Sequence, residues 1–386
     1  MKILVLVSTL DLRYRLGCTP SWWQLLKGLH ETGNQVIAIP YLGDPVESLW
    51  WRTYANPCSI ASRLFNRVSN LSSGDLNGKS GMSAKVARFL IEKHVRPKWR
   101  NHLFQVLSKE KDIDAVLMLN VPVNHFTGIP REIKREFGVK VAYYEGDMPT
   151  ILPRHAIDRG FKFSYYEGAD LSEYDVFFTN SKGAIPDIRA LGARNVYPLY
   201  WAADPELFRP VQVEKEYDVS FYGHGSQLRE EWMRKLITEP SLALPDMRFA
   251  VGGDGYTIPL GRAEQVGIVP YAIFGHFVSR SRINLNITRS SHTQVYASAT
   301  SRPFELAAYG ACIVSQPYSG IDEWFAVGRE LLVTHDTEDA IETYRWLMAD
   351  DDAAEGFGRR ARERVIREHT FHHRARQATD AIRAAG

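Results

Sequence analysis

Cysteine is scarce: the 386-residue chain has three, Cys18, Cys58 and Cys312. An odd, widely spaced set supplies neither a disulfide framework nor a CxxC metal site, and it suits a reducing compartment. No apolar run approaches the length of about 20 residues that a membrane span needs. The opening MKILVLVST has one Lys and a short apolar core, too brief for the apolar region of a secretory signal, and reads as a first buried strand. A cytoplasmic location is the expectation. Basic runs are missing too. Lys and Arg number 47 against 45 Asp and Glu, a net charge of +2, so nothing tracks a phosphate backbone and nucleic acid is a poor candidate partner. The first strand is not followed by GxGxxG, which removes the dinucleotide fingerprint. Metal-ligand sets are equally thin. The DID at 112–114 precedes its strand and reads as loop carboxylates, while His369, His372 and His373 lack the carboxylate or Cys partners that would complete a site.

What is present is an alternation of β and α. Hydrophobic residues make up 45% and charged residues 24%, a globular composition, and the length implies two domains. Apolar runs at 2–7 and 35–39 flank a helix at 21–32, a βαβ opening. The loop between the first strand and that helix carries Arg13, Arg15, Trp22 and Trp23, at the strand end where open α/β sheets place ligands; tryptophans there could equally pack the helix onto the sheet. Residues 49–83 lose the alternation, and 69–83 reads as a flexible loop. A long helix is expected over 84–108, strands at 115–119, 139–144 and 175–181, helices closed by Gly138 and Gly192, and a last strand around 195–200. EGDMP at 145–149 ends a strand with Glu145 and Asp147, either catalytic carboxylates or turn residues. Two prolines and turn chemistry mark 201–210 as a linker. The second half repeats the pattern, with strands at 217–223, 247–253, 266–270, 283–287 and 330–334 and helices at 226–237, 271–279, 338–349, 353–368 and 372–384. The expected organisation is a first Rossmann-like domain over 1–200, a linker over 201–212, a second over 213–365 and a helical tail over 366–386.

One unit of the second half stands out, TSRPFELAAYGACIVS at 300–315. Pro303 suits the first turn of a helix, Gly310 suits its stop, and ACIVS reads as a buried strand. Glu305 reads as a first-turn carboxylate open to a ligand, with Arg302 at i−3; a solvated ion pair on an ordinary amphipathic helix is the alternative.

The ordered series DVSFYG, INLNI, RPFELAAYGACIVS, GRELLV and EHTFHHR resembles the CgeB-type group of GT-B-fold glycosyltransferases (glycosyl transferases group 1-like). The likeness covers roughly the last two hundred residues. It implies two facing Rossmann-like domains with a C-terminal helix packing back across the cleft, a nucleotide-sugar donor held by the second domain and an acceptor of unknown identity held by the first. It implies that Glu305 matches the second Glu of the E-x7-E signature, which accepts the ribose hydroxyls, while the first Glu falls on Ala297. Arg229 matches the diphosphate-binding Arg, beside the turn Gly223, His224 and Gly225, whose backbone NH groups could meet an anion. Arg282 and Arg289, flanking INLNI, are further donor candidates. Asp147, then Glu145, are the candidate bases toward the acceptor. No metal is expected, because Arg stands where a cation would. A nucleotide-sugar epimerase and a non-catalytic sugar-nucleotide binder are the competing readings.

Overall fold

The computed structural model describes residues 1–11, 21–58, 88–149, 152, 165–166 and 168–385. Arg13, Arg15, Cys18 and the loop at 69–83 lie outside them. Thirteen parallel strands form two sheets among the described residues. The first contains β1 (Lys2–Thr9), β2 (Gln35–Leu42), β3 (Arg52–Thr53), β4 (Ala115–Leu119), β5 (Lys140–Glu145), β6 (Val176–Thr179) and β7 (Val196–Pro198), in the order β3-β2-β1-β4-β5-β6-β7. The second contains β8 (Tyr217–Tyr222), β9 (Phe249–Gly252), β10 (Glu264–Gly267), β11 (Ser281–Asn286), β12 (Cys312–Ser315) and β13 (Leu332–Val333), in the order β10-β9-β8-β11-β12-β13. Both are Rossmann-like orders with a switch point beside the first strand. The apolar runs explain the central positions: Ile3 to Val7 and Ala115 to Leu119 are buried on both faces, as strands covered by helices on each side must be.

Three differences from the sequence reading have local causes. The strand β3 is two residues long, too short to show alternation. The long helix is described from residue 88 and loosens to a π turn over Ile91–Val95 just before Pro97, which cannot donate a helical hydrogen bond. The segment read as a linker is not a loose tether: Trp201, Ala202, Ala203 and Phe208 are buried in the core that joins the two halves.

Two further connections hold the sheets face to face. The helix Asp351–Glu368 packs on the second half, where a β-carbon at Gly358 would sit 2.0 Å from the Gly310 carbonyl oxygen. The chain then crosses back, and the helix Phe371–Ala384 lies on the helix Ser21–Glu31 of the first half, with Lys140 Nζ donating to the carbonyls of Ile382 and Arg383. Arg374 anchors that return. Its buried guanidinium donates to the Tyr200 carbonyl at 2.9 Å and contacts His369 Nδ1 at 2.7 Å. His373 completes the capping box with Thr370, and His372 pairs with Glu31, so all three histidines serve packing. The second connection is a main-chain clasp. Asn180 and Ala299 exchange hydrogen bonds, Lys182 N and Gly183 N donate to Ala297 O and Tyr296 O, and Ser298 Oγ donates to Met148 O.

The buried histidines carry a pH dependence. Burial, reinforced by Arg374 and Arg364, lowers His369 to about 2, and burial with Arg96 nearby lowers His125 to about 3. Both are neutral in the native state, whereas an unfolded His binds a proton below about 6.5. As pH falls through that value the unfolded state gains protons that the native state refuses, so stability falls by up to about 1.4 kcal/mol per pH unit for each residue. Urea unfolding should show a lower midpoint at pH 5 than at pH 7. An unchanged midpoint contradicts this.

Candidate functional site

The carboxyl ends of both sheets open onto one cleft of about 600 Å³. Open parallel sheets hold ligands there, because strand-end loops converge without interrupting the ladder. The first-half wall takes Thr9 from the end of β1, Asn120 from the end of β4, Glu145 and Asp147 from the end of β5, and Trp22 and Trp201. The second-half wall takes Gly223, His224 and Arg229 after β8, Arg289 and His292 after β11, and Arg302.

On the first wall β5 delivers its carboxylates by a tight turn. Asn120, with φ of 47°, accepts the Gly146 NH at 2.7 Å, and Trp201 Nε1 donates to the Gly146 carbonyl at 3.1 Å. Only glycine fits: a β-carbon at Gly146 would lie 2.6 Å from Trp201 and 2.8 Å from Trp22. Trp22, Tyr144 and Trp201 pack together beneath the turn, whereas Trp23 packs edge-on against Trp50 and Trp51. The two tryptophans thus divide the two roles the sequence left open. Glu145 is buried, with Tyr166 donating to its Oε2 at 3.1 Å and Tyr143, whose proton is shared with the Val121 carbonyl, 3.2 Å away. Burial first, then the Glu145 charge, pushes the Tyr143 and Tyr166 phenols well up and Tyr165 up to about 12, so these phenols remain donors. Asp147 lies further out and faces the second half. Its Oδ1 is 3.3 Å from Arg289 Nη2 and 3.9 Å from His292 Nε2.

The second wall is cationic. Arg229 enters from the first turn of the helix Gln227–Met233, which Ser226 caps, and its Nη1 donates to the His224 carbonyl at 2.6 Å. His224 Nδ1 is 2.6 Å from Asp254. Arg302 lies over the Phe274 and Tyr222 rings, centroids 4.7 and 5.5 Å away, with Nη1 2.9 Å from Glu305. The guanidinium is therefore held on three sides, with its side chain 18% exposed.

Several placements correct the sequence reading. Glu305 does not face the cleft. The helix Ser301–Ala308 starts directly after Thr300, which puts Glu305 past the first turn, on the buried face, where it pairs with Arg302 instead of meeting solvent. The turn at Gly223 and Gly225 is not an open NH cradle, because those two amides already donate to Gly252 O and Asp254 O. Gly225 does not line the cleft; a β-carbon there would lie 2.0 Å from Gly255 O. Arg282 opens β11 instead of closing it, so it lies at the opposite edge of the sheet and pairs with Asp351. Arg289, just past the same strand, reaches the cleft. Position 297 is not among the cleft-lining residues: Ala297 is fully buried with φ of 45° in the clasp, its N donating to Ser319 O.

Sequence reasoning missed His292, Trp201 and Asn120. His292 and Asn120 do follow buried strands, which was the available signal. Trp201 sat in a stretch read as linker. Among the described residues no group of three His, Cys, Asp or Glu could hold a metal, and no helix is long and apolar enough to cross a membrane.

Comparison with known proteins agrees with this geometry. Residues 229–380 match a family model described as glycosyl transferase-like. No curated protein matches the chain in sequence. Among solved structures, sucrose-phosphate synthase from Thermosynechococcus elongatus superposes with a TM-score of 0.65 at 14% identity, over 99% of this chain and 98% of that one. Anabaena Alr3699/HepE in complex with UDP and glucose gives 0.63 at 11% identity, over all of both chains. T4 phage β-glucosyltransferase gives 0.55 at 13% identity, over 100% of this chain and 99% of that one. Two facing Rossmann-like sheets, their order and the returning C-terminal helix make this a GT-B-fold chain, with a glycosyl transferase-like match across most of its second half.

Proposed function

We propose that the protein is a glycosyltransferase that moves a sugar from a nucleoside diphosphate to an acceptor hydroxyl, within the CgeB-type group that the ordered motifs resemble. One observation carries the reading: a single cleft faces guanidiniums on its second-half wall and strand-end carboxylates on its first-half wall. That polarity suits a diphosphate on one side and a hydroxyl that must lose a proton on the other. The HepE structures hold UDP and UDP-glucose, so uridine donors are the first to test.

Each residue has a role in this scheme. Arg229 and Arg302 stabilise the diphosphate, whose charge grows as the anomeric bond breaks. Glu305 acts through Arg302: its buried carboxylate fixes the guanidinium and does not touch the ribose. Asp147 receives the acceptor hydroxyl, and Glu145, tied to Tyr166, shapes the turn that presents it. Arginine takes the place of a metal, so chelator should leave activity intact. Loss with EDTA and recovery with manganese would contradict that role.

Arg229→Ala should lower kcat about 10²-fold while weakening binding of the intact UDP-sugar donor less, since leaving-group charge grows from the bound donor to the transition state. Equal losses for UDP and uridine would make Arg229 structural. Glu305→Ala should weaken UDP binding about tenfold by freeing Arg302, and calorimetry showing wild-type affinity would sink that assignment. Asp147→Asn keeps the size and removes the basicity, so turnover should fall about 10²-fold. A change confined to the acceptor KM would leave Asp147 only an orienting role.

A further inference from the structure

Arg289, on the second-half wall, contacts a carboxylate of the first. Its Nη2 lies 3.3 Å from Asp147 Oδ1 and 3.3 Å from His292 Nε2. Two groups therefore converge on one nitrogen. Both contacts are longer than the usual range for an N–H donor, so neither bond is at full strength.

The hydrogen bonds around Ser298 fix what His292 offers. The single hydroxyl proton of Ser298 goes to the Met148 carbonyl, 2.9 Å away, and a carbonyl can only accept. Ser298 Oγ must then accept from His292 Nδ1, 3.2 Å away. In the neutral ring this puts the proton on Nδ1 and the lone pair on Nε2, aimed at Arg289. His292 is buried and sits at the clasp, so it turns little. Asp147 Oδ1 and His292 Nε2 are thus two proton acceptors 3.9 Å apart, held together by a shared donor.

We infer that Arg289 is a two-position positioning residue: it holds Asp147 until a donor diphosphate competes for it, then pairs with the phosphate and leaves Asp147 and His292 facing the acceptor hydroxyl. This rests on the proposed donor class. A diphosphate carries more charge than one carboxylate and offers paired oxygens to the planar fork of a guanidinium. Arg289 lines the same wall as Arg229 and Arg302, and its side chain is 30% exposed, so a diphosphate in the cleft can reach it. The place that Nη2 leaves lies between two acceptors, where a hydroxyl can donate to either. Donor binding would in this way prepare the acceptor site, and the productive order is donor first.

A double-mutant cycle on UDP affinity tests this without an identified acceptor. Asp147→Asn weakens the competing partner of Arg289, so UDP should bind about three- to tenfold more tightly than to wild type, in the range of a partly exposed ion pair. Arg289→Ala should bind UDP more weakly, with Arg289→Lys between it and wild type as a folding control. In the Arg289→Ala background, Asp147→Asn should bring no gain, and uridine should bind all variants alike. If the gain persists undiminished without Arg289, the carboxylate acts only through its field on the phosphate and the exchange is wrong. No gain in the Arg289 background also overturns it. Failure of the wild type to bind UDP or any other nucleoside diphosphate removes the donor class itself, and the inference falls with it.

Discussion

The site depends on holding the two sheets at one spacing. A carboxyl-end cleft between Rossmann-like halves has chemistry only if side chains from both meet, and the contact from Asp147 to Arg289 spans the halves at 3.3 Å. The main-chain clasp between 180–183 and 296–299 sets that distance. Its hydrogen bonds run between backbone groups and buried Asn and Ser side chains, which tolerate little slack because a buried polar group left unpaired is costly. The returning C-terminal helix works with it. Arg374 ties that helix to the crossover segment, which places Trp201 beneath the Gly146 turn.

The same clasp accounts for the small residue at position 297. A Glu there would require a large side chain at a positive φ in a fully buried strand-like contact, with Gly320 so close that its own β-carbon would lie 2.5 Å from Ala297 N. The segment belongs to the clasp, while Arg289, His292 and Asp147 line the cleft. Glu305 is likewise buried. Its charge is spent on fixing Arg302, which is the group left on the cleft wall.

Much of the fold was legible because doubly buried parallel strands read as continuous apolar runs, and glycine stops such as Gly138 and Gly310 bound the helices between them. Glu145, Asp147 and Arg229 were legible for a related reason: each lies at or past the carboxyl end of a strand, the edge where open sheets place ligands. That rule, applied strictly, also separates Arg289 from Arg282, which flank one strand and fall at opposite edges of the sheet. Other features were not local. The face on which Glu305 points depends on where the cap falls, and the amides of Gly223 and Gly225 are consumed by a loop about thirty residues further along the chain. Trp201 lies in turn-rich sequence, and only the packing of the distant C-terminal helix makes it part of the site.

The central claim is that the cationic wall receives a nucleoside diphosphate. The most direct measurement is the position of UDP in a crystal of the complex. The diphosphate should lie within hydrogen-bond reach of Arg229 and on the same wall as Arg302, leaving the Asp147 side of the cleft open to an acceptor. UDP bound outside the cleft, or with its diphosphate against the first-half wall, would contradict the assignment.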